Sequence, residues 1–235
     1  MEKIRGDRVK EYMLRTKNVE RKFEMPDGDV FYALKNININ IPKGKLTILR
    51  GKSGSGKTTL MNLLGALDTP SDGEIYFGDS ELTKLSEEEI VALRREKIGF
   101  VFQSVALIPI MSAYENVEYA LRLAGISEKR DERVKECLKM VGLLGRMNHM
   151  PQEMSGGEQQ RVAIARAIAH KPDLIFADEP TAELDSNTGL QVVKIFKELV
   201  EKEGVTIVMT THDVGLMSVG DVVYELEDGE IISEK

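Results

Sequence analysis

Cysteine, positive charge and long apolar runs are all scarce in this sequence, and each shortage excludes a class of protein. Cys137 is the one cysteine, so no internal disulfide can form, and its place in the helical pattern VKECLKMVGLL predicts a small core residue. A reducing compartment fits this composition. No eighteen consecutive apolar residues occur, and the first stretch, MEKIRGDRVKEYMLRTKN, is charged without an apolar segment. The sequence therefore predicts neither a membrane span nor a secretion signal.

Lysines and arginines number 32 against 39 aspartates and glutamates, which gives a net charge of −7. Affinity for a phosphate backbone comes from clustered positive side chains, so this balance argues against a general nucleic-acid binder. It leaves room for a local nucleotide site. The length of 235 residues is enough for one large α/β domain, or for a core with an inserted subdomain.

One stretch, LTILRGKSGSGKTTL, organises the chain, because an apolar run ends there in glycines and serines and a helix starts at Lys57. Gly51, Gly56, Lys57 and Thr58 fill the pattern G-x-x-x-x-G-K-[ST]. In this pattern glycines turn backbone N–H groups inward, the lysine reaches the β- and γ-phosphates, and the hydroxyl can hold Mg²⁺. The positive end of the helix points at the same phosphates. The residues predicted to bind the nucleotide are Gly51, Lys52, Ser53, Gly54, Ser55, Gly56, Lys57, Thr58 and Thr59.

Hydrophobic periodicity predicts strands and helices on both sides of this loop. Residues 13–23 and 30–41 are expected to form strands joined by a turn, in a hairpin-rich antiparallel piece. Further strands are predicted over 46–49, 74–77, 98–102, 174–178, 206–210, 222–226 and 230–232. Helices are predicted over 57–67, 86–96, 113–124 and 128–144, after the Ser-Gly-Gly segment at 155–157, and from a cap at Asp185 or Ser186 to residue 202. Helical periodicity dominates between residues 104 and 151, which indicates an inserted helical subdomain.

Two acidic residues, Asp178 and Glu179, end an apolar strand, which is what a phosphate-loop ATPase needs opposite its phosphates. Asp178, the nearer carboxylate, is expected to help hold Mg²⁺, and Glu179 to act as general base or water-orienting group. His212 follows another apolar strand and can sense a γ-phosphate. Gln103 has no titratable proton at neutral pH, so it suits a contact with water or Mg²⁺. Phe23 can stack on an adenine, although most phenylalanines are core residues.

A second anion-binding pattern lies at Ser155, Gly156 and Gly157, where a hydroxyl and two glycines precede a helix. One nucleotide could in principle use both sites, but about a hundred residues and a helical insertion separate them. The economical alternative is a head-to-tail homodimer. In it, each nucleotide is held by the phosphate loop of one subunit and the Ser-Gly-Gly helix of the other.

In their order and spacing, these motifs resemble those of the nucleotide-binding subunit of ATP-binding-cassette transporters over nearly the full chain. GKSGSGKT resembles the Walker A motif, MSGGE the family signature, LIFADE the Walker B motif with its catalytic glutamate, and AELD the D-loop. Gln103 resembles the Q-loop residue, His212 the switch histidine, and Phe23 the aromatic residue that stacks on adenine. Together these matches are highly specific.

The chain departs from the usual form of two of these motifs. The signature is usually LSGGQ, and here Met154 and Glu158 replace its leucine and glutamine. Glu158 suits a helix N-terminus but places a negative charge near a triphosphate. The D-loop is usually SALD, so Ala182 and Glu183 are variants as well.

The resemblance implies an α/β fold: a P-loop NTPase core with a mostly parallel sheet, an antiparallel β subdomain and an inserted helical subdomain. Residues 1–103 and 160–235 would form the core with the β subdomain, and 104–159 the helical subdomain that carries the signature, within one domain over 1–235. ATP and Mg²⁺ are the implied cofactors. The implied catalytic residues are Glu179, His212 and Gln103, the implied metal contacts are Thr58, Gln103 and Asp178, and the implied nucleotide contacts of the signature are Ser155, Gly156, Gly157 and Glu158.

Within the family, KIGFVFQSVALIPIMSAYENVEYAL and the run from MPQEMSGGEQQRVAIARA onwards are similar to the macrolide-export and lipoprotein-releasing class. This implies an ATPase that closes as a dimer around two Mg·ATP and drives a separately encoded membrane permease from the cytoplasmic face of the cell membrane. The helical stretch 104–144 is expected to dock on the permease. Two alternatives stay open: a soluble cassette ATPase that remodels nucleic-acid or ribosome complexes, which the acidic balance disfavours, and a P-loop kinase, which would not use the Ser-Gly-Gly segment.

Overall fold

Two β-sheets and the helices around them form the part of the chain that the computed structural model describes, residues 11–235. The strands are β1 (Tyr12–Glu24), β2 (Val30–Ile37), β3 (Asn40–Pro42), β4 (Leu46–Arg50), β5 (Asp72–Phe77), β6 (Ser80–Glu81), β7 (Ile98–Val101), β8 (Leu174–Ala177), β9 (Thr206–Thr211), β10 (Val222–Glu227) and β11 (Glu230–Glu234). The α-helices are α1 (Lys57–Leu64), α2 (Glu87–Lys97), α3 (Ala113–Leu123), α4 (Arg130–Met140), α5 (Gly156–Ile168) and α6 (Ser186–Glu203). Residues 1–10, which the predicted core also includes, lie outside the described residues.

The six-stranded sheet is mostly parallel, as predicted, and has the order β11-β10-β4-β9-β8-β7. Its pairings are parallel except for the edge pair of β10 and β11. β8 and β9 are buried along their whole length and β4 along all but its last residue, which is typical of parallel strands covered on both faces. Because parallel strands end at one edge, the segments after β4, β7, β8 and β9 meet there.

The five-stranded sheet is antiparallel, with the order β2-β1-β5-β6 and with β3 paired to β1. The predicted strand over 30–41 is wrong in one respect, because it is divided into β2 and β3. Asn36 takes the left-handed conformation, with φ at 49°, and the Asn38 amide donates to its backbone oxygen at 2.9 Å. The division lets one segment pair with both halves of β1 while Leu34, Ile37, Ile39 and Ile41 stay buried.

Two helices end earlier than their apolar patterns predict. α1 stops at Leu64 because Gly65 follows as its C-cap and Ala66 takes the left-handed conformation, with φ at 54°. α4 ends at Met140, shortly before Gly142, where φ is 73°. α2 begins with a capping box, in which the Ser86 hydroxyl accepts from the Glu89 N–H and the Glu89 carboxylate accepts from the Ser86 N–H.

The helices α3, α4 and α5 pack on one another. In the chain they lie between β7 and β8, two strands of the parallel sheet. Cys137 is fully buried in their core, as predicted, beside apolar residues such as Val117 and Val162. Burial raises the pKa of its thiol to about 11. Among the described residues, the helices are all too short or too polar to cross a membrane.

Candidate nucleotide site

A cavity of about 790 Å³ opens at the carboxyl edge of the parallel sheet. Four segments meet there: the loop after β4, Gln103 after β7, Glu179 after β8 and His212 after β9. Its lining consists of Phe31, Ala33, Lys52, Ser53, Gly54, Gly56, Lys57, Thr58, Thr59, Gln103, Glu179 and His212. The structure thus brings together most of the residues predicted for nucleotide binding and catalysis, although they come from segments more than a hundred positions apart in the sequence.

Close backbone approaches require two glycines of the loop, Gly51 and Gly56. At Gly56, φ is 104°, and an added Cβ would lie 2.8 Å from the Ala33 carbonyl oxygen. At Gly51, an added Cβ would lie 2.3 Å from the Leu226 carbonyl oxygen. Gly56 is the N-cap of α1 and offers no side chain to the first N–H groups of that helix. These groups therefore stay available to an anion in the cavity.

Lys57 places its ammonium group inside the loop. Its side chain is only 5% exposed, and Nζ donates to the carbonyl oxygens of Gly51 at 2.8 Å and Lys52 at 3.0 Å. Glu179 Oε1 lies 3.8 Å from the same nitrogen. The charge is held beside the helix N-terminus, where it adds to the attraction for phosphate.

Several side-chain oxygen atoms that could coordinate a hard cation lie beside the loop. The Thr58 hydroxyl donates to Asp178 Oδ2 at 3.1 Å, and Gln103 lines the same cavity. Hydroxyl, carboxylate and amide oxygens are ligands that Mg²⁺ accepts, so these residues fit the metal. In the described residues, no three His, Cys, Asp or Glu side chains form a metal cluster. Such a sparse set is typical of a Mg²⁺ ion held by one or two protein ligands together with substrate phosphates and water.

Glu179 and His212 are in direct contact at the mouth of the cavity. His212 Nδ1 lies 3.0 Å from Glu179 Oε2. The Glu179 side chain is 20% exposed, and its backbone takes the left-handed conformation, with φ at 42°. Its N–H donates to the Thr210 hydroxyl at 2.8 Å. A side chain so placed reaches the cavity from the end of β8, opposite the phosphate loop.

The Ser-Gly-Gly segment lies at the N-terminus of α5, and none of its residues lines the cavity. Ser155 is the N-cap, and its hydroxyl accepts a hydrogen bond from Glu158 N–H at 3.3 Å. In return, Glu158 Oε2 accepts from Ser155 N–H at 2.9 Å, and its Oε1 lies 3.3 Å from Arg146 Nε. The bond from the Ser155 N–H lowers the pKa of the Glu158 carboxyl group.

Phe23 lies on β1 directly across from Phe31 of β2, which lines the cavity. Its ring is not part of the lining, and the Arg21 guanidinium lies 4.6 Å from the ring centre. Arg21 is itself paired with Asp68, at 2.9 Å. One face of the Phe23 ring is therefore covered by a fixed cation.

Sequence reasoning missed Phe31 and Ala33, which line the cavity, and Thr210, which contacts Asp178 and Glu179. The hairpin register that puts Phe31 beside the loop follows from two register shifts between β1 and β2, which no sequence pattern marks. Thr210 lies within an apolar strand, where a threonine is ordinary for a β-branched residue. The D-loop residue Asp185 is the N-cap of α6, which decides between the two predicted caps.

Comparison with known proteins agrees with this geometry. The family model described as ABC transporter matches residues 34–182. The chain is 46% identical to an uncharacterised ABC transporter ATP-binding protein, MJ0796, of Methanocaldococcus jannaschii, over 95% of this chain and 97% of that protein. It is also 46% identical to the macrolide export ATP-binding/permease protein MacB of Campylobacter jejuni, over 86% of this chain but only 31% of the relative. The chain spans about a third of the length of such export relatives.

Solved structures show the same fold. A dimeric structure of the ATP-binding cassette MJ0796 in a post-hydrolysis state, bound to ADP and Pi, matches with a TM-score of 0.88 at 44% identity, over 95% of this chain and 98% of the other. The cbiO1 protein of Clostridium perfringens, part of the ABC transporter complex cbiONQ, matches with a TM-score of 0.83 at 30% identity, over 95% of this chain and 88% of the other. The chain therefore belongs to the ABC transporter family and is one of its nucleotide-binding ATPase cassettes.

Proposed function

We propose that this cassette binds Mg·ATP in the cavity at the carboxyl edge of the sheet and hydrolyses it there. The observation that carries the proposal is the convergence of loop residues 52–54 and 56–59 with Gln103, Glu179 and His212 around one cavity, beside which Asp178 contacts Thr58. The loop and the N-terminus of α1 bind the phosphates through backbone N–H groups. Lys57 exchanges its two carbonyl acceptors for phosphate oxygens.

The roles of the remaining side chains follow from their positions. Thr58, Asp178 and Gln103 would hold Mg²⁺, directly or through water, and the metal supplies charge neutralisation at the phosphates. Glu179 takes the proton of the attacking water or orients it. His212, which contacts Glu179 Oε2, senses the γ-phosphate and keeps the carboxylate oriented. Phe23 offers its remaining ring face to the adenine, while Arg21 supports the other face.

The signature segment completes the site of a second copy. Ser155, Gly156 and Gly157 lie outside the cavity of their own chain, yet they begin a helix whose first N–H groups have no acceptor within the helix. A head-to-tail homodimer places this N-terminus against the nucleotide of the other subunit. The solved MJ0796 cassettes are dimers, which supports this arrangement.

The substitution Glu179→Gln tests the composite site. It keeps the size of the side chain and removes its basicity, so ATP binding survives while hydrolysis slows. The closed dimer then persists, because only a state bridged by triphosphate is stabilised by mass action. Size-exclusion chromatography should show a dimer in saturating Mg·ATP and mainly monomer in Mg·ADP.

The control for this experiment is Glu201→Gln, an equivalent change on the exposed surface of α6, which should hydrolyse ATP like the unmodified protein and show no nucleotide-dependent dimer that outlasts hydrolysis. A Glu179→Gln variant that stays monomeric in saturating Mg·ATP would show that Ser155 to Gly157 do not complete the site. Replacing Mg²⁺ by sodium separates dimer formation from the metal-requiring hydrolysis of the unmodified protein.

We further propose that the cassette associates peripherally with the cytoplasmic face of the membrane and drives a separate permease of the macrolide-export or lipoprotein-releasing class. Residues 104–159 act as a helical subdomain, and residues 1–103 and 160–235 as the core. Export relatives in which a cassette and a permease share one chain support such a partner. The helical segment carries exposed apolar side chains, of which Ile110 is 83% exposed and Leu123 54%. Such residues are typical of an interaction surface.

Crosslinking tests this docking surface. A photoreactive group at Ile110 or Tyr114 should crosslink to the permease in a reconstituted complex. The matched control is Leu190, an apolar side chain of α6 that is 59% exposed and lies outside the helical segment. Crosslinks from Leu190 alone would contradict the proposed surface.

A further inference from the structure

Thr210 lies beside Asp178 and Glu179 and contacts both of them. It is the next-to-last residue of β9, and none of its surface is exposed. Its hydroxyl donates to Asp178 Oδ1 at 2.6 Å and accepts from the Glu179 N–H at 2.8 Å. A hydroxyl has one proton, so the direction of both bonds is fixed: the backbone N–H can only donate, and the carboxylate can only accept.

These bonds determine how the Asp178 carboxylate is oriented. Oδ1 is held by the buried hydroxyl, while Oδ2 faces the Thr58 hydroxyl at 3.1 Å. The oxygen that points at the proposed metal position is therefore selected by the bond on the other oxygen. Without the hydroxyl, rotation about the last side-chain torsion of Asp178 is broad, because that torsion has no strong intrinsic preference.

The second bond acts on the backbone of Glu179. This residue has φ at 42°, a conformation that residues with a side chain adopt at an energetic cost and keep only where surrounding contacts hold it. The Thr210 hydroxyl is the acceptor for its N–H, so it ties the strained residue to the neighbouring strand. The direction in which the Glu179 carboxylate leaves the end of β8 depends on that backbone conformation.

We propose that Thr210 is a positioning residue for ATP hydrolysis. One buried hydroxyl fixes both the metal-facing oxygen of Asp178 and the backbone of the general base, and thereby couples the metal position to the water position. The proposal rests on the roles proposed above for Asp178 and Glu179. It differs from a purely structural role because it concerns the orientation of two carboxylates and not the stability of the sheet.

The test compares Thr210→Val, which keeps the shape of the side chain and removes the hydroxyl, with Thr210→Ser, which keeps the hydroxyl. The matched control is Thr47→Val on the neighbouring strand β4. Thr47 is also fully buried, and its hydroxyl has no hydrogen-bond partner among the described residues. Each variant is measured for kcat and KM, for the Mg²⁺ concentration at half-maximal rate, for affinity towards a fluorescent ATP analogue with and without Mg²⁺, and for melting temperature.

We expect Thr210→Val to lower kcat by about 10- to 100-fold, the range that follows when a catalytic group is misplaced by about 1 Å. Thr210→Val should also need more Mg²⁺ for half-maximal rate and gain less analogue affinity from Mg²⁺, while metal-free affinity stays near that of the unmodified protein. The melting temperature should fall by about a few degrees, because the Glu179 N–H loses its acceptor. Thr210→Ser should restore kcat and the Mg²⁺ requirement. Thr47→Val should change none of these quantities.

Normal kcat and normal Mg²⁺ dependence in Thr210→Val would overturn the proposal. So would a loss of activity that Thr210→Ser does not restore and that a lowered melting temperature accompanies, because that pattern indicates packing alone. Failure of the proposed function looks different: the unmodified protein would then hydrolyse ATP without Mg²⁺, or Glu179→Gln would keep its full rate. In that case the proposal for Thr210 falls with the roles on which it rests.

Discussion

Two helices of this protein have glycine at their N-termini, Gly56 as the N-cap of α1 and Gly156 and Gly157 as the first residues of α5, and these two ends differ in the groups that occupy them. α1 begins after Gly56, which provides no side-chain cap, and its first turn contains no acidic residue. α5 begins after Ser155, which forms a full capping box with Glu158. One N-terminus is thus open to a ligand, and the other is partly occupied by the side chains of its own chain.

Charge enlarges this difference. At α1, the Lys57 ammonium group is buried among loop carbonyls beside the helix end. At α5, the Glu158 carboxylate lies against the Ser155 N–H, and Arg146 partly balances its charge. A positive group adds to the attraction of a helix N-terminus for phosphate, and a carboxylate competes with it. From this difference we expect α1 to bind a triphosphate by itself, and α5 to make a supporting contact to a nucleotide already bound elsewhere.

The largest expected effect comes from a substitution at the N-terminus of α1, the helix end that is open to a ligand. Lys57→Ala removes the cation that would neutralise the β- and γ-phosphates, and hydrogen bonds to charged groups are worth about 1.5–3 kcal/mol each. Loss of one such bond corresponds to roughly a 10- to 100-fold weaker affinity. Equilibrium binding of a fluorescent ATP analogue measures the change, and hydrolysis should fall with it.

Lys45→Ala serves as the control for this change. Lys45 lies directly before β4, the strand that leads into the phosphate loop, but its side chain is half-exposed and its Nζ lies 3.9 Å from Asp221 Oδ1. It should bind the analogue like the unmodified protein, which separates a local contact from the general effect of one lost positive charge. Unchanged affinity and hydrolysis in Lys57→Ala would show that α1 and α5 do not differ in the way described.

The sequence predicts much of the fold because its patterns are local. Runs rich in apolar and β-branched residues mark β4, β8 and β9, and Ser86 followed by Glu89 marks the start of α2. The division between β2 and β3 was not predictable in this way. Apolar alternation continues through it, and the bend depends on the left-handed conformation of Asn36 and on pairing with both halves of a distant strand.

The candidate site shows a similar limit. Lys57, Asp178 and Glu179 are recognisable because phosphate chemistry requires those residue types beside a loop and a strand end. The contact of Thr210 with two of these residues depends on the register between β8 and β9, which is set by tertiary pairing. A sequence pattern shows which residue types the chemistry requires. Which hydroxyl lies beside those residues depends on how the strands pair.

The smallest expected effect comes from a substitution at the N-terminus of α5, the helix end that is closed by a capping box. Glu158→Gln keeps a side chain that can complete the capping box and removes only the negative charge. An acidic residue near a helix N-terminus is worth about 0.3–1 kcal/mol, and a loss of that size lowers the melting temperature of a chain of this length by about 1–4 °C. The matched variant Glu158→Ala removes the cap as well, so its melting temperature should be lower still.

The pH dependence of this small difference identifies its cause. The pKa of Glu158 is lowered by the bond from the Ser155 N–H, so the contribution of its charge is fully present above the ordinary carboxyl pKa of about 4.3 and is lost as pH falls through the lowered value. The unmodified protein and Glu158→Gln should therefore differ in stability at neutral pH and converge in acid. A difference that persists in acid would mean that Gln fails to form the capping box, and the two helix ends would then differ by geometry and not by charge.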